Sequence, residues 1–184
     1  MSAINRWRWE KSVEHVSPVE KDIRDIANDL CVKALDEAKA QLHPLLRSVD
    51  IERLSQRNDF LQAFKSALEK RIARKLAAWQ PGIQAVFKFD ETRSENIGEW
   101  DGSIHLLVKV PRLSNTITLL GKTLDQVLVK YLKQLGCAPF SKCQSILDVQ
   151  QVTQNEIRHG ISYGAMFYAI YTVPVKVWPS ASYG

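Results

Sequence analysis

The chain has few cysteines and no long apolar run, and each shortage removes a class of protein. Its three cysteines, Cys31, Cys137 and Cys143, are odd in number and too few for a disulfide framework. No apolar run approaches the roughly 20 residues that a membrane span requires. The first ten residues also lack the apolar core of a signal peptide. We therefore expect reduced thiols and a soluble, cytoplasmic protein.

A phosphate-binding loop is suggested at one place, but the spacing is wrong. Gly121-Lys122-Thr123 resembles the end of such a loop, which needs a glycine five residues earlier to wrap its backbone around the phosphates. Thr116 stands there instead. We interpret this stretch as a helix start that is capped by Thr123.

Metal and catalytic signatures are also missing. Cys137, Cys143 and His159 do not have the paired spacing of a four-ligand zinc site. Nucleophilic catalysis needs a cysteine or serine beside an oriented histidine, and the histidines are scattered over different predicted elements: His15, His43, His105 and His159. We predict no catalytic residues, no metal site and no cofactor.

The composition fits one globular domain with an uneven charge. Of 184 residues, 45% are apolar and 24% are charged, which is the globular average. The net charge of +5 falls almost entirely in residues 1–89, which carry 16 Lys/Arg against 12 Asp/Glu. We treat 1–184 as a single domain made of an N-terminal arm (1–16), a helical hairpin (17–80) and a sheet half (83–178).

Apolar residues recur at helical spacing as far as Gln80-Pro81-Gly82. The first helix is predicted from Ser17-Pro18-Val19-Glu20, a capping pattern, to the residues before Pro44. The second is predicted from about Asp50 or Asn58 to Trp79. Both carry an apolar stripe, and Cys31 falls near the first. Two long helices joined by a short polar link predict an antiparallel hairpin.

Beyond Gly82 the pattern becomes mostly strand-like. Strands are predicted over 85–90, 103–110, 145–154 and 162–178, and the last, rich in aromatic and β-branched residues, is expected to be central and covered on both faces. A helix starting at Thr123 and ended by Gly136 lies between the second and third strands. The predicted fold is α+β, in the order α-α-β-β-α-β-β: an N-terminal αα-hairpin packed on a four-stranded antiparallel or mixed sheet with one crossover helix.

Two surface features suggest binding. The segment 65–75 contains five basic residues and one acidic residue, and its basic side chains could follow a phosphate backbone or simply face solvent; they are Lys65, Lys70, Arg71, Arg74 and Lys75. Of these, Lys70, Arg71 and Arg74 are expected to reach solvent together.

The second feature is the arm, which places Trp7 and Trp9 between arginines. Tryptophan is enriched at binding hot spots, and the arm either docks on its own domain or on a partner. The sequence thus favours a non-catalytic protein-binding or assembly subunit, oligomeric or part of a complex, acting through its helix pair and this arm. The alternatives are a sequence-nonspecific nucleic-acid-binding protein that uses the basic face, and a small enzyme.

Overall fold

The structure is a computed structural model that describes residues 18–89, 103–134, 136, 143–169 and 174–179. Five α-helices occur in these ranges: α1 (Pro18–Gln41), α2 (Ile51–Leu54), α3 (Asn58–Trp79), α4 (Asn115–Gln134) and α5 (Gln154–His159). Four strands accompany them: β1 (Ala85–Lys88), β2 (Ile104–Val110), β3 (Leu147–Thr153) and β4 (Val175–Trp178). The predicted α+β class and element order are confirmed.

The four strands form one mixed sheet in the order β3-β2-β1-β4. β1 is antiparallel to both of its neighbours, whereas β2 and β3 are parallel. A parallel pair needs a crossover connection rather than a tight turn, and α4 provides it. The predicted crossover helix is therefore present, and the predicted strand bounds are close for the first three strands.

The helix pair and the crossover helix lie on one face of the sheet. α3 contacts β1, β2 and β4, α4 contacts β3, and α1 packs against both α3 and α4. The main hydrophobic core lies between these helices and the sheet. Alternate residues of β2, from Ile104 to Val110, face this core and pack with Cys31 of α1 and with Phe60 and Phe64 of α3. A smaller cluster on the opposite face contains Phe89, Leu107 and Val152. β2 is consequently buried on both faces.

The predicted start of the crossover helix is wrong. α4 begins at Asn115, eight residues before Thr123, and the Thr123 hydroxyl donates a hydrogen bond back to the Leu119 carbonyl at 2.9 Å. Gly121, read as part of a helix boundary, lies inside the helix because the helix passes very close to β3. A Cβ at Gly121 would lie 2.9 Å from Cβ of Val149, so glycine serves packing there rather than termination.

Most of the last predicted strand is not a strand in the described residues. Residues Ser162–Tyr168 form a 3-10 helix, and β4 covers only Val175–Trp178 at the edge of the sheet. Ser162 has a φ of 50°, and a Cβ at Gly164 would overlap the backbone carbonyl of Glu156, so only glycine fits there. This packing against α5 overrides the strand propensity of the aromatic residues, because strand propensity mainly reflects context.

The Leu128→Asp variant tests the position of α4. Leu128 is fully buried, and an unpaired carboxylate at this site costs several kcal/mol, a large part of a domain's stability of about 5–15 kcal/mol. We expect chemical denaturation to show a loss of most of the unfolding free energy. Leu119→Asp is the matched control, since Leu119 lies on the same helix and is 66% exposed. Equal effects of the two variants would contradict this placement.

Candidate functional site

The predicted basic face of α3 is only partly open to solvent. Lys70 and Arg74 are exposed and lie one turn apart, and neither makes an ion pair within the part of the chain that the structure describes. The remaining three of the five predicted residues are engaged in contacts. The expectation that Lys70, Arg71 and Arg74 reach solvent together therefore holds for two of them.

Arg71 and Lys75 each contact a neighbouring group. Nη2 of Arg71 lies 2.7 Å from Oε2 of Glu37 on α1, with 29% of the Arg71 side chain exposed. This pair ties α3 to α1, so Arg71 belongs to the helix packing as much as to the surface. Nζ of Lys75 lies 5.5 Å from the centre of the Trp79 ring, a distance typical of a cation–π contact.

Lys65 faces a buried carboxylate. Glu69 is 1% exposed, and its oxygens lie 3.8 Å from Nζ of Lys65 and 3.4 Å from Nζ of Lys88 on β1. A buried carboxylate is tolerated when cations accompany it. Lys65 thus contributes to charge balance between α3 and the sheet, and the dense positive charge of 65–75 is partly used inside the fold.

The tryptophan arm lies outside the described residues, so the role of Trp7 and Trp9 in partner binding remains a prediction.

The apolar stripes of the helix pair lie within the described residues. Most of their described members are buried, including Leu30, Ala34 and Ala38 on α1 and Leu68 and Ile72 on α3. The sheet packs on α3, and α3 and α4 pack on α1, so these apolar stripes are used mainly in contacts within the chain.

A different surface exposes apolar and aromatic side chains. Ile161, Tyr163 and Tyr168 are 52%, 39% and 64% exposed, and they fall within eight consecutive residues; we call these three side chains the outer patch. A Cβ at Gly160 would lie 3.5 Å from Cδ2 of Tyr168, which places that ring beside the residue preceding Ile161. Tyrosine is enriched in protein interfaces.

The support beneath the outer patch is well packed. Met166 and Phe167, from the same 3-10 helix, pack on the cluster of Phe89, Leu107 and Val152. The rings of Phe87 and Phe167 meet edge to face, with 4.9 Å between centroids. Met166 and Phe167 thus fix the segment to the sheet, while the three side chains of the outer patch remain exposed. Gly160 and Gly164, which break the strand pattern, are the sequence signal that would have found this segment.

A capping box holds α5 at the base of the segment. The Thr153 hydroxyl accepts from the Glu156 backbone N–H, and Oε2 of Glu156 accepts from the Thr153 backbone N–H at 2.8 Å. The Ser162 side chain also hydrogen-bonds the same carboxylate. The pKa of Glu156 is lowered most by the hydrogen bond from the Thr153 backbone N–H, and further by hydrogen bonds with the Thr153 and Ser162 side chains. Such bonds favour the charged form of the carboxylate.

The residues tested for metal binding and catalysis do not converge in the described residues. His43 follows α1 and accepts a hydrogen bond from the Leu45 backbone, while His159 ends α5. His105 lies on β2 with Nδ1 3.6 Å from Oδ2 of Asp148. Cys137 and His15 lie outside the described residues. No group of three potential metal ligands occurs within the ranges that the structure covers.

Comparisons with protein-family models, with curated proteins and with solved structures gave no match for this chain. Among the helices that the structure describes, none combines the length and the apolar character needed to cross a bilayer. The function must therefore be inferred from surfaces, contacts and charges.

The Glu156→Gln variant tests whether the charge of Glu156 in the capping box of α5 stabilises the fold. The lowered pKa of Glu156 means that its charge stabilises the fold above the ordinary carboxyl pKa of 4.5, and that this contribution is lost as pH falls through the lowered value. We expect the variant to be less stable than the wild type at neutral pH, by about 1 kcal/mol. The difference should shrink toward zero in acid, as measured by urea unfolding between pH 7 and pH 3. A difference that does not change with pH would contradict the role of the charge.

Proposed function

We propose that this protein is a non-catalytic protein-binding or assembly subunit that associates with itself or with another protein in the cytoplasm. The observation that carries the proposal is the outer patch on its packed support. Apolar and aromatic side chains that are exposed together mark interaction surfaces more often than scattered ones do. A rigid support reduces the ordering cost of binding.

In this proposal the polar outer faces of the helix pair and the N-terminal arm also contact the partner. Since the apolar stripes of α1 and α3 are buried within the chain, a contact made by the helix pair would be polar. Trp7 and Trp9 would supply the aromatic anchors. Tryptophan, tyrosine and arginine are the side chains that most often dominate binding energy.

Replacing the outer patch tests the proposal. The triple variant Ile161→Ser, Tyr163→Ser and Tyr168→Ser removes exposed apolar area without opening the core, so we expect the native mass of the complex to fall while circular dichroism stays unchanged. The mass is measured by light scattering on the complex isolated from its own cells, with and without nuclease. A nuclease-resistant complex of fixed stoichiometry is expected for the wild type.

A matched control removes the same number of exposed apolar side chains away from the helix pair and the outer patch: Leu113→Ser, Leu119→Ser and Val175→Ser. This control should keep the wild-type mass. The same measurement on a Trp7→Ala and Trp9→Ala variant decides whether the arm contributes to association. A wild-type protein that is monomeric at high concentration and recovers no stoichiometric partner would refute the assembly proposal.

A second function is supported by one observation on α3. Lys70 and Arg74 are exposed and lie one turn apart on the same side of α3. Neither makes an ion pair in the described part of the chain. Such a pair could contact neighbouring phosphates without reading bases. The contacts of Lys65, Arg71 and Lys75 reduce the charge that is available, which ranks nucleic-acid binding below assembly.

Charge reversal at the two exposed positions tests nucleic-acid binding. Lys70→Glu with Arg74→Glu should abolish binding of single- and double-stranded oligonucleotides and leave folding intact, since neither residue holds the helices together. Arg71 is kept because its loss would leave Glu37 unpaired. Lys122→Glu with Lys133→Glu changes the net charge equally on α4 and should retain most binding. Undetectable wild-type binding at low salt would eliminate this function.

A further inference from the structure

A groove lies between α1 and α4, on the side of the molecule where α1 packs against the crossover helix. Its volume is about 380 Å³, within the range of roughly 300–1,000 Å³ found for small-ligand sites. Eight residues line it: Arg24, Asn28, Thr123, Gln126, Val127, Lys130, Tyr131 and Gln134. Two of these described residues are basic, five are polar and uncharged, and none of the eight is acidic.

The charge of this groove has no counterpart in the described residues. Arg24 is partly buried, and neither Arg24 nor Lys130 makes an ion pair or a side-chain hydrogen bond within the part of the chain that the structure describes. Partly burying a guanidinium without a partner is unfavourable. In contrast, Arg57 and Arg71 each bind a carboxylate, on Asp59 and Glu37. The groove thus contains a positive charge that an anion would stabilise.

Two carboxylates that adjoin lining residues in the sequence, Asp29 and Asp125, are engaged elsewhere. Asp29 follows Asn28 but pairs with Lys33, with 2.8 Å between Oδ2 and Nζ. Asp125 lies between lining residues in sequence, yet its Oδ1 accepts from the backbone N–H groups of Ile146 and Leu147 at 2.7 Å each. These bonds hold Asp125 toward β3, and among the described residues no carboxylate lines the groove.

The remaining lining groups suit an anionic oxygen. The amides of Asn28, Gln126 and Gln134 offer N–H donors, and the Tyr131 hydroxyl offers an O–H donor. Burial, with a smaller contribution from Cys31, raises the pKa of Tyr131, so its hydroxyl stays protonated at neutral pH. Arginine binds phosphate oxygens in a fork, and lysine adds a point charge.

We propose that the groove between α1 and α4 binds a small phosphate monoester, with its phosphate held between Arg24 and Lys130. The two positive charges match the charge of approximately −2 that a phosphate monoester carries at neutral pH. The amide side chains and Tyr131 provide hydrogen bonds to its oxygens or to the attached group. The modest volume favours one phosphate with a small substituent over a polymer backbone.

The test measures binding of inorganic phosphate and glycerol phosphate by calorimetry and by NMR shifts of α1 and α4 amides, in low-salt buffer, with glycerol as the uncharged comparison. We expect saturable one-to-one binding of both phosphates and none of glycerol. Arg24→Gln with Lys130→Gln should weaken binding at least tenfold, because each substitution removes a charge-assisted contact to the phosphate. Circular dichroism should be unchanged.

The matched control is Arg74→Gln with Lys133→Gln, which removes the same charge from exposed positions outside the groove lining. Affinity in this control should stay within about twofold of the wild type. An equal loss in both double variants would overturn the site, since the binding would then follow net charge. The absence of saturable binding to either phosphate would also overturn it. So would an oligonucleotide that occupies the groove more tightly than glycerol phosphate does.

Discussion

The close packing of α4 against β3 is the constraint on which the rest of this fold depends. The parallel pairing of β2 with β3 requires a crossover connection. α4 forms this connection, and Gly121 allows it to lie close to Val149 of β3. Side-chain bonds fix the approach on both sides, from Asp125 to the start of β3 and from Gln151 to the backbone of Ser114. α1 then packs on α4, so the groove between these helices is a consequence of this packing.

The number of basic residues in a segment of this chain does not indicate how many of them are available at the surface. The basic segment of α3 uses Lys65 near buried Glu69 and Arg71 on Glu37. Arg24 and Lys130 are far apart in sequence, yet they line one groove in which no described lining residue is a carboxylate. Local charge density and available charge are therefore different properties, because ion pairs form between residues that are distant in the chain.

Much of the fold could be predicted from periodicity. The end of α3 follows from a stripe ending at Gln80-Pro81-Gly82, whereas the sequence leaves its start open between Asp50 and Asn58; β2 follows from a run of β-branched and apolar residues before Pro111. The prediction was wrong at Thr123, since a glycine inside a packed helix looks like a helix boundary in sequence. It was wrong at 162–168 because aromatic residues that cover a sheet alternate much as they do within one.

The sequence by itself determined the α+β class, the order of the elements and the apolar face of each long helix. These depend on local spacing, which repeats every 3.6 residues in a helix and every two in a strand. Only the tertiary structure decided which cations are neutralised, which aromatic side chains form the outer patch and which residues line the groove. Each of these depends on contacts between elements far apart in the chain, such as Arg71 with Glu37 and Phe87 with Phe167, and local spacing carries no record of them.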